Sequence, residues 1–228
     1  MIAFLPTGIA DDDYSHIRAD GMWYQEWQGG YHDILKMGYP RPKHKTTILA
    51  ELHSPHVPDF MHGGAADVPF LVSSRAKKVI RDNQLTGIRF SRVEIAKIAT
   101  KGKRRRNTKS GEPEDQILKA TDQAANTIIP TLHAAYTIGR LEVIPQYNTG
   151  RCPHTGYVSP YELPETDQMP DLWRPTIDGR TFSAWIYCSE RFVAVVNAAN
   201  LSNIAFTTFR SHMDDFKSDI ERRITTGT

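Results

Sequence analysis

The chain has 228 residues, 39% of them hydrophobic and 24% charged, with a formal net charge of +2. These are ordinary globular values, and no apolar run approaches the ~20 residues that a membrane-spanning helix needs. The two cysteines, Cys152 and Cys188, cannot build a disulfide framework, so a reducing, cytoplasmic compartment is expected.

The N-terminal stretch Met1–Ala10 is apolar but has no basic start, and it runs straight into Asp11-Asp12-Asp13, a poor secretory signal. Up to residue 66, aromatic residues (Trp23, Tyr24, Trp27, Tyr31, Tyr39) are followed by Pro40, Pro42, Pro55 and Pro58. That pattern argues for loops and short strands. His53, His56 and His62, with Asp59 between them, form the densest histidine cluster. The spacing matches neither H-x-x-x-H nor H-E-x-x-H, so no metal is expected there.

An internal repeat follows. Phe70–Phe90 lies over Ile186–Phe206 at an offset of 116 without a gap. Identical pairs are Ser73/Ser189, Arg75/Arg191, Val79/Val195, Leu85/Leu201, Ile88/Ile204 and Phe90/Phe206. Each copy predicts a short apolar strand, a serine N-cap and a helix of about three turns. Ala76, Val79, Ile80 and Asn83 in the first copy, and Phe192, Val195, Val196 and Ala199 in the second, follow i, i+3, i+4, i+7. Val79 and Val195 are expected to be buried. Gly87 and Asn203 stand where the chain must leave the helix with positive φ. Alternating strands, 88–95 and 204–209, complete the two units, 70–93 and 186–209.

Charge is concentrated beside the first unit. Residues 61–110 hold 13 basic and 3 acidic residues, and the peak is Lys101–Lys109. Within it Lys103, Arg104, Arg105 and Arg106 are candidate contacts to a partner. Lys101–Pro113 reads as a mobile loop. Closely spaced cations can contact phosphates, but this run lacks interleaved aromatic residues and a recognised reading module. Further on, 114–135 reads as helix, 141–144 as strand and 147–179 as an ordered connector. The connector contains Cys152-Pro-His-Thr-Gly156, which is C-P-x-C-G with Thr155 at the second cysteine. Cys152 and His154 supply two potential zinc ligands where a tetrahedral site needs four, so a structural turn is expected. Cys188 ends an apolar strand and reads as a small buried thiol. No nucleophile elbow, P-loop or dinucleotide fingerprint is present. No catalytic residue, metal or cofactor is assigned.

Three stretches in order, Pro69–Phe90, Cys152–Gly156, and Asp171-Leu-Trp-Arg174 followed by Ile186–Phe206, resemble the double-CxxCG paralogous family of myxobacteria and related immunity proteins of polymorphic toxins. Here the first CxxCG is absent and the second keeps Cys152 and Gly156. The resemblance implies a cytoplasmic antidote that binds and neutralises a cognate toxin protein, with no chemistry of its own. The expected fold is α+β with two related lobes, 1–110 and 111–228, each carrying one strand–helix–strand unit packed on mixed β-structure. The alternatives are a nucleic-acid-binding protein using residues 101–109 and a hydrolase with an unrecognised site. No membrane contact is expected.

Overall fold

Local chemistry places the two repeat units first. In the computed structural model, which describes residues 3–8, 48–52, 58–65, 68–106, 113–119, 131–146, 160–181 and 185–226, strand β4 (Val68–Ser73) runs into helix α1 (Ser74–Asp82). Strand β13 (Tyr187–Ser189) runs into helix α2 (Glu190–Ala198) in the same way. The hydroxyls of Ser73 and Ser189 accept the amide hydrogens of Ala76 and Phe192. Each cap thereby satisfies one of the donors that a helix leaves unpaired in its first turn. Both chains leave their helices through matching positive φ values, at Gln84 and Asn200 and then at Gly87 (78°) and Asn203 (62°). Strands β5 (Ile88–Arg106) and β14 (Ile204–Thr208) follow.

The helical period is right and its edge is one position off. Ala76 and Ile80 are buried on α1, and Phe192 and Val196 on α2. Val79 and Val195, expected to be buried, are instead half-buried against the margin of the core. The apolar arc of each helix is narrow, so i and i+4 sit at its centre and i+3 lies at its flank.

The remaining strands are β1 (Ala3–Gly8), β2 (Ile48–Leu52), β3 (Phe60–Ala65), β6 (Pro113–Lys119), β7 (Leu132–Thr137), β8 (Gly139–Glu142), β9 (Ile144–Pro145), β10 (Tyr161–Glu162), β11 (Leu172–Ile177) and β12 (Arg180–Thr181). Helix α3 (Phe209–Thr226) ends the described chain. The fold is α+β. Around the first unit the antiparallel order is β3-β4-β7-β5. Around the second it is β11-β13-β1-β14, also antiparallel. The two sets correspond strand for strand. Each has one strand, β7 or β1, inserted between the strand that enters the helix and the strand that leaves it. Because β1 belongs to the second set and β7 to the first, strand pairing crosses residue 110 in both directions. Parallel pairs, β2 with β5 and β8 with β11, make the surrounding sheets mixed.

Two expectations are corrected by the pairing. Residues 114–135 are not one helix: 113–119 and 132–137 are strands, the first paired with β5 and the second held between β4 and β5. Lys101–Arg106 is likewise strand, the far end of β5, with Arg105 opposite Glu114 and Arg106 opposite Pro113. In both places the neighbouring strands outweigh local propensity, which is weak whenever tertiary pairing competes with it. The 147–179 connector also gains structure, because β11 within it is a mostly buried strand.

One apolar cluster joins the units. Phe70, Val72, Ala76, Ile80 and Leu85 from the first pack with Ile186, Cys188, Phe192, Val196 and Leu201 from the second. Phe60 bridges them, with its ring edge-on to Phe70 at 5.5 Å and to Phe192 at 6.5 Å. A second cluster, built on Trp173, Tyr187, Leu141 and Met213, seats α3. The Tyr187 hydroxyl, 2.7 Å from that of Tyr161 and 3.0 Å from His212 Nδ1, gives that apolar seat a polar anchor.

Candidate functional site

Each repeat unit carries a serine and an arginine that meet a buried aspartate preceding the unit in the chain, and the two sets form reciprocal latches. Asp59 Oδ1 accepts from Ser73 Oγ at 2.6 Å, and Oδ2 accepts from Arg75 Nη1 at 2.7 Å. The same Oδ2 takes the backbone N–H of Ser202 at 3.1 Å, from the second unit. In the second unit Asp171 Oδ1 accepts from Ser189 Oγ at 2.7 Å, and Oδ2 from Arg191 Nη1 at 3.1 Å. Its Oδ2 also takes the backbone N–H of Thr86 at 2.7 Å, from the first unit. Thr86 and Ser202 are themselves equivalent at the 116 offset. Each arginine then reaches across the seam, Arg75 to the carbonyl of Ala199 and Arg191 to that of Asn83. Backbone bonds repeat the pattern, from Phe60 N–H to the Ser202 carbonyl and from Leu172 N–H to the Thr86 carbonyl.

In each set the hydroxyl, the carboxylate and the guanidinium share one structural role, capping a helix and tying the two units together. Each serine hydroxyl donates to its aspartate and accepts from a helix amide. The one hydrogen of each hydroxyl and one of its lone pairs are thereby in use. Asp59 and Asp171 are nearly fully buried and satisfied by hydrogen bonds, as buried charges must be. Cys188 is buried in the shared core, as its strand-end position predicts. Burial, with the Asp171 carboxylate nearby, pushes its thiol pKa well above the ordinary range, so it stays protonated and inert.

Over the second latch the chain leaves an open cleft of about 950 Å³, bounded by Leu163, Glu165, Asp167 and Met169 on one side and Glu190 and Arg191 on the other. Glu165, Asp167 and Glu190 are exposed. The floor is Asp171, Ser189 and Thr86, with both hydroxyls donating to the Asp171 carboxylate. The accessible chemistry of the cleft therefore lies in its charged rim.

None of the described sequence-derived candidates lines the cleft. Lys103, Arg104, Arg105 and Arg106 occupy the end of β5. His62 is in β3. Cys152, His154, His53 and His56 lie outside the described residues. Among the described residues no group of three metal-ligating side chains converges. Asp59 and Asp171 received no role from the sequence, because they precede Ser73 and Ser189 by different distances and a gapless repeat misses them. No local pattern marks them: each is an aspartate followed by an apolar residue, Asp59-Phe60 and Asp171-Leu172, 14 and 18 residues before its serine.

Comparison with family models, curated proteins and solved structures gives no match.

Proposed function

We propose that this protein is a cytoplasmic immunity protein that binds a cognate bacterial toxin and blocks it by protein–protein contact, without catalysis. The observation that supports the reading is the open, charged-rimmed cleft above the second latch. Sites for small molecules are concave and mostly apolar, and they bury most of the ligand. This cleft has a polar floor already satisfied by internal bonds and a rim of exposed Glu165, Asp167 and Glu190 beside Arg191. Such a surface suits a segment of a protein partner, where polar rims surround the energetic anchors. The resemblance of the repeat and connector to toxin immunity proteins points the same way.

Lys103, Arg104, Arg105 and Arg106, which do not line the cleft, would steer the encounter by long-range attraction. Coexpression with the toxin domain encoded beside this chain is expected to restore growth, and the two proteins should co-purify. Replacing all four cations with serine should slow association by about tenfold at low salt and leave dissociation nearly unchanged. Binding kinetics at two ionic strengths check this. A nucleic-acid-binding role would instead give steep salt-dependent DNA or RNA binding that the same variant loses. That result, with no rescue by any neighbouring toxin, would overturn the immunity reading.

A further inference from the structure

The two units are similar in backbone but not in chemistry, and one difference runs along the first helix of the pair. In the first unit Lys77 Nζ is 3.2 Å from His133 Nδ1, and His133 Nε2 is 3.3 Å from Ser74 Oγ. The Ser74 hydroxyl donates to the carbonyl of Thr131 at 3.0 Å. An ammonium group only donates, so Nδ1 accepts and the ring proton sits on Nε2, pointing at the serine. In that tautomer His133 has no lone pair toward Ser74, and the row is not a nucleophile with its base.

What the row does hold is positive charge that no carboxylate among the described residues neutralises, with Lys77 Nζ also 6.0 Å from the centroid of the Phe90 ring. Arg81 lies one turn beyond Lys77 on α1. Among the described residues no carboxylate pairs with Lys77 or Arg81, whereas the neighbouring Lys78 is paired with Asp82. Burial, then Lys77, then Arg81 hold the His133 pKa below its usual value, and burial and Arg81 lower that of Lys77. On the strands flanking His133, Arg92 of β5 and the uncharged Val72 of β4 occupy the opposing register positions.

The second unit shows that the fold itself does not require this cluster. The 116 offset and the strand register place Glu190 at the position of Ser74, Val193 at that of Lys77, Asn197 at that of Arg81 and Phe4 at that of His133. Phe4 and Val193 pack against the apolar core. Glu190 gives α2 an acidic first turn, while α1 has none. A helix start favours negative charge, and the second unit supplies its own.

We propose that Ser74, Lys77, Arg81 and His133 form a phosphate site, taking inorganic phosphate or the phosphate of a small monoester. A tetrahedral dianion offers acceptors to an ammonium, a guanidinium, an imidazole and a hydroxyl at once. On binding, Lys77 turns from Nδ1 to the anion, Ser74 turns its one hydrogen from the Thr131 carbonyl to the anion, and His133 takes a proton from solvent so that both ring nitrogens donate. Phosphate and a proton therefore bind together.

The test follows the His133 ring by NMR in the full chain, its signals assigned by their loss in His133→Gln. The titrants are inorganic phosphate, a nucleoside monophosphate, and sodium chloride at matched ionic strength. The expected result is a saturable response to phosphate, with the His133 pKa raised and no comparable response to chloride. Lys77→Gln should weaken binding by about tenfold or more. Ser74→Glu, which installs the arrangement of the second unit, should abolish phosphate binding while keeping or raising the melting temperature. Tighter binding of the nucleoside monophosphate names an ester as the natural ligand, and tighter binding of inorganic phosphate names the free ion. An equal response to chloride, or unchanged phosphate binding in a folded Ser74→Glu or Lys77→Gln protein, overturns the site.

Discussion

Gly87→Asn is expected to destabilise the protein by about 3 kcal/mol or more, and Gly87→Ala by a similar amount. The asparagine substitution is the sharper test, because the equivalent position in the second unit is Asn203, at nearly the same positive φ. If backbone conformation alone decided the residue, asparagine would be accepted, since it tolerates that region better than most. The two positions differ in what lies next to them. A Cβ at Gly87 would stand 2.0 Å from the Leu172 carbonyl oxygen and 3.1 Å from Cβ of Pro170. At Asn203 the matching carbonyl, that of Phe60, instead accepts a hydrogen bond from the asparagine side chain at 2.7 Å. The obstruction at Gly87 is backbone, so no rotamer relieves it. Gly139 packs against the same oxygen, where a Cβ would approach to 2.2 Å. Equilibrium urea unfolding measures the loss, and a Gly87→Asn protein as stable as wild type would refute the close approach.

The latches give the second large effect. Asp171→Ala should cost about 3 kcal/mol, and Asp59→Ala about the same, because each leaves a helix-capping serine, a backbone N–H and an arginine without their common acceptor. Arg191→Ala should cost under about 1 kcal/mol, because its side chain is 53% exposed and an exposed ion pair contributes little. The asymmetry within one ion pair is what separates a carboxylate that organises buried donors from a surface salt bridge. Urea midpoints for the three variants, with unchanged slopes, provide the comparison. Equal losses for Asp171→Ala and Arg191→Ala would show that the ion pair, and not the buried hydrogen-bond set, carries the energy.

The sequence disclosed the parts of this fold that short-range chemistry controls. Ser73 and Ser189 could be identified as caps, Ile80 and Val196 as core, and Gly87 and Asn203 as the exits with positive φ, because each depends on a few adjacent residues. The aspartates were illegible for a definite reason. Asp59 acts on Ser202 and Asp171 on Thr86, across separations that no local pattern encodes. The strands 113–119 and 132–137 lie within a stretch that reads as helix, and only their pairing with β4 and β5 decides otherwise. The strand β1 between β13 and β14 was also hidden, since its partners lie at the other end of the chain. The charged cleft was missed because its walls come from residues 163–169 and from the start of α2, which only the folded chain brings together.

The central structural claim is that the two units share one core and are locked by reciprocal carboxylates. Cys188 tests it directly, because it lies in the second unit and is buried against side chains of both. Alkylation of the full chain is followed across a urea series, reading the peptide that contains Cys188 by mass spectrometry alongside circular dichroism. Asp59→Ala alters only the first unit's carboxylate, yet it should move the Cys188 labelling midpoint and the circular dichroism midpoint down together. If the dichroism midpoint falls while Cys188 keeps its wild-type protection, the units unfold separately and the shared core is wrong.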